Sequence, residues 1–221
     1  MSVWAVLAAA GSGERLGLDR PKAFANLRDR PLLAEPLERL EASEWIDSIV
    51  VVVPPEWEEP AILLAEEIGA GKVVACVTGG ATRAESVRAA VDEVDDDASV
   101  IIVHDAARPL VDDEVIERVL KPLSEGFDGA VPTVPIADTV KRARGGEIVE
   151  TLDRAELVVV QTPQAFLADT LRRALGGDIS AATDCSSLVE AAGGRVAAVA
   201  GDHRLLKVTE PSDLELIERL L

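Results

Sequence analysis

Residues 3–17 read VWAVLAAAGSGERLG, and this stretch decides the fold class. It begins as an almost continuous apolar run, Val3–Leu7, which is the pattern of a strand covered on both faces of a sheet. It then enters a loop with glycine at Gly11 and Gly13, where backbone N–H groups can approach a phosphate closely. A buried strand that leads into such a loop is typical of α/β proteins that bind phosphorylated ligands.

The rest of the chain continues the alternation of strands and helices. Four more apolar runs predict buried strands, at Ile49–Val53, Val73–Val77, Val100–Val103 and Ala130–Val134. Apolar residues that recur every three or four positions predict helices at residues 31–43, 82–94, 113–123 and 211–221. Thr209 is expected to cap the last of these helices. The pattern predicts an α/β fold with a doubly wound, mostly parallel, Rossmann-like sheet, forming one domain over residues 1–221.

One segment, at about residues 135–160, breaks this alternation. Its charged centre contains Gly145-Gly146, which lies between the short extended runs Thr139-Val140 and Ile148-Val149. A Gly-Gly pair between two extended runs is typical of a β-hairpin. The segment has little apolar surface to offer the main core. We therefore expect it to protrude as a β-arm and to pack on a second copy of the chain, which predicts a homodimer.

The composition limits the classes of partner. The chain has 221 residues, of which 48% are apolar, so it can bury a sizeable core and is not a wholly disordered protein. It has 22 basic and 40 acidic residues, a net charge of −18. Such a surface repels nucleic acid and anionic membranes, and neither is expected as a partner. If the ligand is itself an anion, the few cations must be concentrated at its site.

Cysteine and histidine are scarce. Cys76 and Cys185 form no CxxC pair and are expected to be free thiols in a reducing compartment. The histidines His104 and His203 are too few for a zinc site of the His/Cys type. The apolar start is too short for a signal peptide or a membrane span, and no later apolar run approaches 18 residues. The sequence thus predicts a cytoplasmic protein without a membrane segment.

The loop after the first strand carries three cations. Arg15, Arg20 and Lys22 lie within eight residues, beside the glycines. Three cations suit a triphosphate better than the diphosphate bridge of a dinucleotide. The second strand also ends in Pro54-Pro55, without the acidic residue that would hold the ribose of a nicotinamide cofactor. A surface loop with solvated charges is the alternative interpretation.

A second polar stretch follows the strand Val100–Val103. Asp105 is placed where the carboxyl end of a parallel strand meets a ligand, and it could bind Mg²⁺ while phosphates and water complete the coordination. Arg108 could donate two hydrogen bonds to a phosphate. His104 is expected to be a packed residue that supports the site. The alternative is that Asp105 only caps a turn.

A third stretch follows the strand Val73–Val77. Gly79-Gly80 allows backbone contact with a flat base, and Arg83 and Ser86 lie on one face near the positive end of the next helix. This arrangement suits a pyrimidine edge or a phosphate. The alternative is an ordinary helix start, capped by Thr82 and Glu85.

Together these stretches resemble the 2-C-methyl-D-erythritol 4-phosphate cytidylyltransferases, and the resemblance covers nearly the whole chain. The stretches that carry it are Ala9-Ala10-Gly11 with Arg15, Pro21-Lys22, Gly79-Gly80 with Arg83 and Ser86, His104–Pro109, Asp138–Lys141, Asp153-Arg154, Thr162–Gln164, Thr183-Asp184 and Lys207–Thr209. His104–Pro109 and Lys207–Thr209 are the specific ones, since the glycine-rich loop is shared by many sugar nucleotidyltransferases. The resemblance implies a single nucleotidyltransferase domain that transfers CMP from CTP to a methylerythritol phosphate, with Mg²⁺, in a homodimer. It also implies that the arm crosses to the partner and helps to form the polyol-phosphate site.

The resemblance assigns roles residue by residue. Arg15 and Lys22 are expected to stabilise the transition state at the α-phosphate, Asp105 to contact Mg²⁺ or the substrate, and Lys207 to belong to the catalytic set. The expected CTP site is lined by Ala9, Ala10, Gly11, Gly80, Ala81, Arg83, Ser86 and Ala106. The expected polyol-phosphate site is surrounded by Arg108, Thr139, Arg154, Thr162 and Lys207. On residue pattern alone, Arg154 and Lys207 are no more than solvated surface charges.

Two departures from the family pattern leave the polyol open. Ala23 stands where the family often has Gln, and Cys185 stands where an acidic residue is more usual. A cytidylyltransferase for another polyol phosphate, such as ribitol 5-phosphate, is therefore one alternative. A nicotinamide-dependent reductase and a non-catalytic nucleotide-binding module are the others.

Overall fold

The computed structural model describes residues 2–17 and 19–221, apart from the side chain of Arg15. The strands are β1 (Val3–Ala8), β2 (Asn26–Leu27), β3 (Arg30–Pro31), β4 (Ser48–Val53), β5 (Val73–Thr78), β6 (Val100–Asp105), β7 (Gly129–Pro135), β8 (Lys141–Arg144), β9 (Glu147–Thr151), β10 (Val158–Val160), β11 (Gln164–Leu167) and β12 (Val196–Ala200). The helices are α1 (Ala34–Ala42), α2 (Glu58–Ile68), α3 (Arg83–Val91), α4 (Asp113–Ser124), α5 (Ala168–Leu175), α6 (Cys185–Ala191) and α7 (Pro211–Leu220). None of the helices in the described residues is long and apolar enough to cross a membrane.

The central sheet is mostly parallel, as predicted. β1 lies between β4 and β6, and β5 follows β4, all four strands running in the same direction. On the other side, β11 is antiparallel to β6, and both β10 and β11 pair antiparallel with β7. β12 also pairs with β7, and this pairing is parallel. The prediction from the sequence did not include the antiparallel strands.

Helices cover both faces of this sheet. Along β1, Val3, Ala5 and Leu7 point into one core, while Trp4 and Val6 point into the other. The first core also contains side chains of α1, α2 and α4, and the second contains side chains of α3, α5 and α6. Burial on both faces is the reason that this strand is apolar almost throughout. The doubly wound α/β fold is confirmed.

The predicted strands appear as β1, β4, β5, β6 and β7, and the predicted helices as α1, α3, α4 and α7. The expected burial is wrong for β5, because it lies at the edge of the sheet and is only partly covered. The N-cap prediction for α7 is wrong, because Glu210 and not Thr209 holds that position. The carboxylate of Asp213 accepts hydrogen bonds from the backbone N–H groups of both Thr209, at 2.7 Å, and Glu210, at 2.9 Å. The first turn is therefore closed by a residue inside the helix, and the threonine side chain is not needed.

The structure contains the predicted hairpin in the arm segment. β8 and β9 pair antiparallel, and Gly145 (φ 56°) and Gly146 (φ 85°) form the two-residue turn between them. Both glycines have positive φ, as the favoured two-residue hairpin turn requires. The first strand begins at Lys141, after the predicted run Thr139-Val140. Every residue of the two strands is exposed, so the arm lies outside the main core.

A small separate core holds the C-terminal segment against the segments that follow β1 and β6. Leu16, Leu110, Val208 and Ile217 are buried together in this core. The backbone N–H of Val208 donates a hydrogen bond of 2.8 Å to the carbonyl oxygen of Ala107, just beyond β6. The residues before α7 are thereby brought to the carboxyl end of the central strands.

Candidate active site

A cavity of about 480 Å³ opens at the carboxyl ends of β1, β5 and β6. Because these strands run in the same direction, the loops that follow them emerge at the same edge of the sheet. The lining residues are Ala8, Ala9, Ala10, Gly11, Ser12, Glu14, Lys22, Ala23, Gly80, Ala81, Thr82, Arg83, Ser86, Asp105, Ala106, Ala107 and Lys207. All the residues expected to line a CTP site are among them.

The glycine-rich loop packs closely against Lys22. Gly13 has a φ of 73°, and a Cβ atom at this position would lie 2.8 Å from Cβ of Lys22 and 2.9 Å from its backbone nitrogen. The Lys22 amine donates a hydrogen bond of 3.0 Å to the carbonyl oxygen of Val208. The loop and the C-terminal segment thus hold this lysine at the wall of the cavity.

The turn after β5 is formed by Gly79 and the start of α3. A Cβ atom at Gly79 would lie 2.6 Å from Cβ of Ala10, so only glycine lets this turn approach the first loop so closely. Thr82 caps α3 by accepting from the backbone N–H of Glu85, and the Glu85 side chain accepts from the backbone N–H of Thr82. The capped helix start is therefore present, and it directs Arg83 towards β6. The two interpretations of this stretch are compatible.

Two cations converge on Asp105, at the end of β6. Nε and Nη2 of Arg83 lie 3.0 and 2.9 Å from Oδ1 of Asp105. The Lys207 amine lies 2.6 Å from Oδ2 of the same carboxylate. Asp105 does not simply cap a turn, since its side chain joins α3 to the segment before α7.

These contacts control the charge of the cluster. Burial alone would raise the pKa of Asp105, but the positive charges of Arg83 and Lys207 outweigh it and hold that pKa well below its usual range. Burial likewise opposes the charge on Arg83, and Asp105 more than compensates, so the pKa of Arg83 is raised. Asp105 and Arg83 therefore stay charged at neutral pH.

His104 supports this cluster without carrying charge. Burial lowers its pKa to about 4, so the ring is neutral at physiological pH. Nε2 lies 2.9 Å from the carbonyl oxygen of Arg108 and must donate to it, which leaves Nδ1 to accept from the Thr162 hydroxyl at 3.1 Å. That hydroxyl oxygen in turn accepts from the backbone N–H of Asp105 at 3.1 Å. A chain of hydrogen bonds thus fixes the start of the loop after β6.

A second cavity, of about 440 Å³, adjoins the first. It is lined by Arg83, Asp105, Arg108, Val160, Gln161, Thr162, Gln164, Thr183, Asp184, Ser186, Ser187, Glu190 and Lys207. Arg83, Asp105 and Lys207 line both cavities. Arg108 and Thr162, which were expected to contact the polyol phosphate, are part of this second cavity.

Two residues with expected roles lie outside both cavities, and the side chain of a third is outside the described part of the structure. Thr139 and Arg154 lie within the arm segment, are exposed and line neither cavity of the single chain. A guanidinium nitrogen of Arg154 donates to the carbonyl oxygen of Ala137. Arg15 lies in the turn Glu14–Leu16, next to the glycine-rich loop, and its side chain is outside the described part of the structure.

A metal ion would find only a small number of protein ligands here. Within residues 2–17 and 19–221, no group of three or more His, Cys, Asp or Glu side chains is placed to hold a metal ion. Asp105 is ionised and lines both cavities, and each carboxylate oxygen already faces a cation. Among the described residues, Oδ2 accepts from Lys207 alone and keeps a lone pair, so Asp105 could give one oxygen to a Mg²⁺ ion whose other ligands are phosphates and water.

Several polar residues of the second cavity were not predicted to act there. Asp184 caps α6, and its Oδ1 accepts from the backbone N–H of Ser187 at 3.0 Å. Its Oδ2 accepts from Nε2 of Gln164 and from the Ser186 hydroxyl, both at 2.8 Å. Gln164 and Asp184 occur in the stretches that carry the family resemblance, which was the one signal available for them.

Comparison with known proteins agrees with this geometry. The family model for 2-C-methyl-D-erythritol 4-phosphate cytidylyltransferase matches residues 3–221. A protein of that name from Nocardia farcinica is 44% identical over 221 residues, covering 100% of this chain and 94% of its own length. One from Frankia casuarinae is 43% identical over 220 residues, covering 99% and 81%. The crystal structure of the Thermus thermophilus protein of that name superimposes with a TM-score of 0.78 at 32% identity, covering 97% of this chain and 96% of that one. This chain therefore belongs to the 2-C-methyl-D-erythritol 4-phosphate cytidylyltransferase family.

Proposed function

We propose that this protein transfers CMP from CTP to the phosphate of 2-C-methyl-D-erythritol 4-phosphate and releases pyrophosphate, a step of non-mevalonate isoprenoid biosynthesis. Family membership supports this reaction. The main structural support for it is that two adjoining cavities share one wall, formed by Arg83, Asp105 and Lys207. One cavity suits the nucleotide and the other the acceptor, so the reacting phosphates meet at this wall.

The first cavity has the properties of a CTP site. Alanines and glycines from three loops form much of its wall, which leaves room for a flat base and for close contact with backbone groups. Lys22 also lines this first cavity and offers a positive charge to the phosphates. None of the described lining residues has an aromatic side chain, so backbone and small side chains do most of the contacting.

The acceptor needs no general base. The second pKa of a phosphate monoester is about 6, so at neutral pH the acceptor is mostly a dianion and already a nucleophile. An oxygen of that dianion attacks the α-phosphorus of CTP, a new P–O bond forms, and the bond to the pyrophosphate breaks. The barrier comes from repulsion between the two anions, and catalysis is positioning together with charge neutralisation.

The cavities concentrate positive charge relative to the rest of the chain. The described residues that line them include four basic side chains, Lys22, Arg83, Arg108 and Lys207, and four acidic ones, Glu14, Asp105, Asp184 and Glu190. The whole chain has 22 basic against 40 acidic residues. A balanced site in an acidic protein leaves part of the triphosphate charge to be neutralised by other means.

We infer that Mg²⁺ bound to CTP supplies this remaining charge, with Asp105 as its ligand from the protein. When bound, the metal ion neutralises and polarises the phosphate groups. Lys22 orients the triphosphate from the first loop, while Arg83 and Lys207 keep Asp105 ionised and positioned. The Thr162 hydroxyl and the His104 ring hold the backbone of Asp105 in place.

We infer that the protein acts as a homodimer through the arm at residues 135–160. Strands β9 and β10 of this arm expose apolar side chains to water in the single chain, namely Ile148, Val149, Val158, Val159 and Val160. Contact with a second copy would cover them. We expect the same contact to bring Arg154 and Thr139 to the partner's second cavity, as the family resemblance implies.

We also infer a cytoplasmic location. Cys76 and Cys185 are free thiols, as expected of a protein in a reducing compartment. CTP, the proposed donor, is a cytoplasmic metabolite.

Release of pyrophosphate tests the reaction directly. The protein is incubated with CTP, Mg²⁺ and a panel of polyol phosphates that includes methylerythritol phosphate and ribitol 5-phosphate. We expect the highest kcat/KM with methylerythritol phosphate. A preference for ribitol 5-phosphate would change the assigned acceptor, and CTP binding without release from any acceptor would indicate a nucleotide-binding module.

A further inference from the structure

Gln164 is a buried polar residue in the second cavity, and the proposed mechanism leaves it without a role. It is the first residue of β11, it is 1% exposed, and it lines the cavity together with Asp105 and Arg108. Its Nε2 donates a hydrogen bond of 2.8 Å to Oδ2 of Asp184. This contact determines which way the carboxamide faces.

Asp184 fixes the orientation of the amide. Burial would raise the pKa of Asp184, but hydrogen bonds from Ser187, Gln164 and Ser186 outweigh it and lower that pKa below its usual value. An ionised carboxylate can only accept hydrogen bonds, so the NH₂ group of Gln164 must face it. The carbonyl oxygen Oε1 is therefore held pointing away from Asp184.

Oε1 of Gln164 has no hydrogen-bond partner among the described residues, although it is buried. Buried acceptors without a partner are rare and costly. Nε of Arg108, another residue of this cavity, is a buried donor that also has no partner in the described residues. A hydroxyl group both donates and accepts hydrogen bonds, so hydroxyl groups of a ligand could serve either atom.

We propose that Gln164 is a specificity-determining residue whose Oε1 accepts a hydrogen bond from a hydroxyl group of the polyol phosphate. The proposal rests on the proposed function, because it places the polyol in the second cavity. An acceptor that lacks this hydroxyl leaves Oε1 buried without a partner and is therefore a poor substrate.

The experiment measures kcat/KM for methylerythritol phosphate and for analogues that each lack one hydroxyl. The wild type is expected to lose about 10–100-fold on one of these analogues. Gln164→Met keeps the length of the side chain and removes the acceptor. This variant is expected to react with the full acceptor and with that analogue at rates within about 3-fold of each other.

Gln161→Met is the matched control. Gln161 lines the same cavity, but both of its polar side-chain atoms are engaged by the backbone of Asp202, with Nε2 donating at 2.8 Å and Oε1 accepting at 3.1 Å. Its replacement is expected to lower stability and to leave the discrimination between the two acceptors at the wild-type value. Loss of discrimination in this control would mean that packing of the cavity, and not Oε1 of Gln164, selects the acceptor.

A second variant tests the orientation of the amide without removing it. Asparagine caps helices as well as aspartate does, so Asp184→Asn is expected to fold. An asparagine side chain can donate as well as accept, so it no longer forces the NH₂ group of Gln164 to face it. Discrimination against the same analogue should therefore weaken. Wild-type discrimination in both Gln164→Met and Asp184→Asn would overturn the proposal and indicate that water occupies the position beside Oε1. No pyrophosphate release by the wild-type protein with any acceptor would overturn the proposed function as well.

Discussion

The side-chain amine of Lys207 lies 2.6 Å from Oδ2 of Asp105, although 102 positions separate the two residues. The next residue, Val208, accepts a hydrogen bond from the amine of Lys22 at 3.0 Å. Two adjacent residues before α7 thus contact the loop after β6 and the loop after β1. The C-terminal segment is therefore a structural part of the site, and its loss would release both loops.

Replacement of Lys22 tests the electrostatic mechanism. If the amine neutralises charge that develops at the α-phosphate, Lys22→Ala should lower kcat by about 10²–10³-fold and change KM for CTP much less. Steady-state pyrophosphate release over a range of CTP concentrations separates the two effects. A change in KM alone would show that Lys22 only binds the ground-state triphosphate.

A pair of glycine variants tests how the first loop positions Lys22. Gly13 and Gly17 have φ values of 73° and 64°, so alanine at either should cost about 1 kcal/mol of stability through backbone strain. Only at Gly13 would the new Cβ collide with Lys22, since at Gly17 no described atom lies within 4 Å. Gly13→Ala should therefore lower kcat far more than Gly17→Ala. Equal kcat values for the two variants, at similar melting temperatures, would contradict this account.

Mixed dimers test whether Arg154 acts in the partner's site. Arg154→Ala should raise KM for the polyol phosphate and leave CTP binding unchanged. When Arg154→Ala and Lys22→Ala chains are unfolded and refolded together, a heterodimer contains one site with both residues intact only if Arg154 crosses to the partner. About a quarter of all sites should then recover activity after random pairing. Activity no higher than the sum of the two parent variants would place Arg154 in its own chain's site.

The pH–rate profile should follow the acceptor and not the protein. The pKa of Asp105 is held well below its usual range and that of His104 is about 4, so neither group changes charge near pH 6. The acceptor phosphate takes up a proton at about pH 6, and the rate should fall there as pH decreases. A phosphonate analogue with a higher second pKa should move the acidic limb upwards by the same amount. A limb that does not move would point to a titrating group on the enzyme.

Stability should also depend on pH through His104. Its pKa is about 4 in the folded protein, against about 6.5 in the unfolded chain, so the unfolded chain binds more protons between these values. The free energy of unfolding should then decrease as pH falls from about 6.5 towards 4, by at most about 1.4 kcal/mol per pH unit. Urea unfolding at pH 7 and pH 5 measures the slope. His104→Gln should reduce it.

Local sequence patterns were sufficient for the centre of the fold. The strand Val3–Ala8 and its parallel neighbours are apolar along their whole length because helices cover both faces of the sheet, and that pattern is visible in any short window. The turn at Gly145 and Gly146 is equally local, since the chemistry of the two residues determines it. The strands β10–β12 were not predicted because they depend on pairing with β7, which brings together residues far apart in the chain.

In the site, too, only the features determined by local sequence could be predicted. Asp105 and the glycine-rich loop could be predicted, because each directly follows a recognisable strand. The contacts that give Asp105 its charge state come from Arg83 and Lys207, which are distant in sequence. No pattern within the chain distinguishes Lys207 from a solvated lysine, and only the family resemblance assigned it to the site. The free Oε1 of Gln164 depends on three-dimensional packing alone, so no sequence pattern could have predicted it.

The wall shared by the two cavities has a thermodynamic consequence. Any ligand that draws Arg83 or Lys207 towards itself changes the partners of Asp105, and hence the field that a ligand in the neighbouring cavity experiences. The affinity of each substrate must then depend on the presence of the other, and by the same factor in both directions. A compound that occupies only the second cavity should therefore act as an effector of nucleotide affinity, and not simply as a competitor of the polyol.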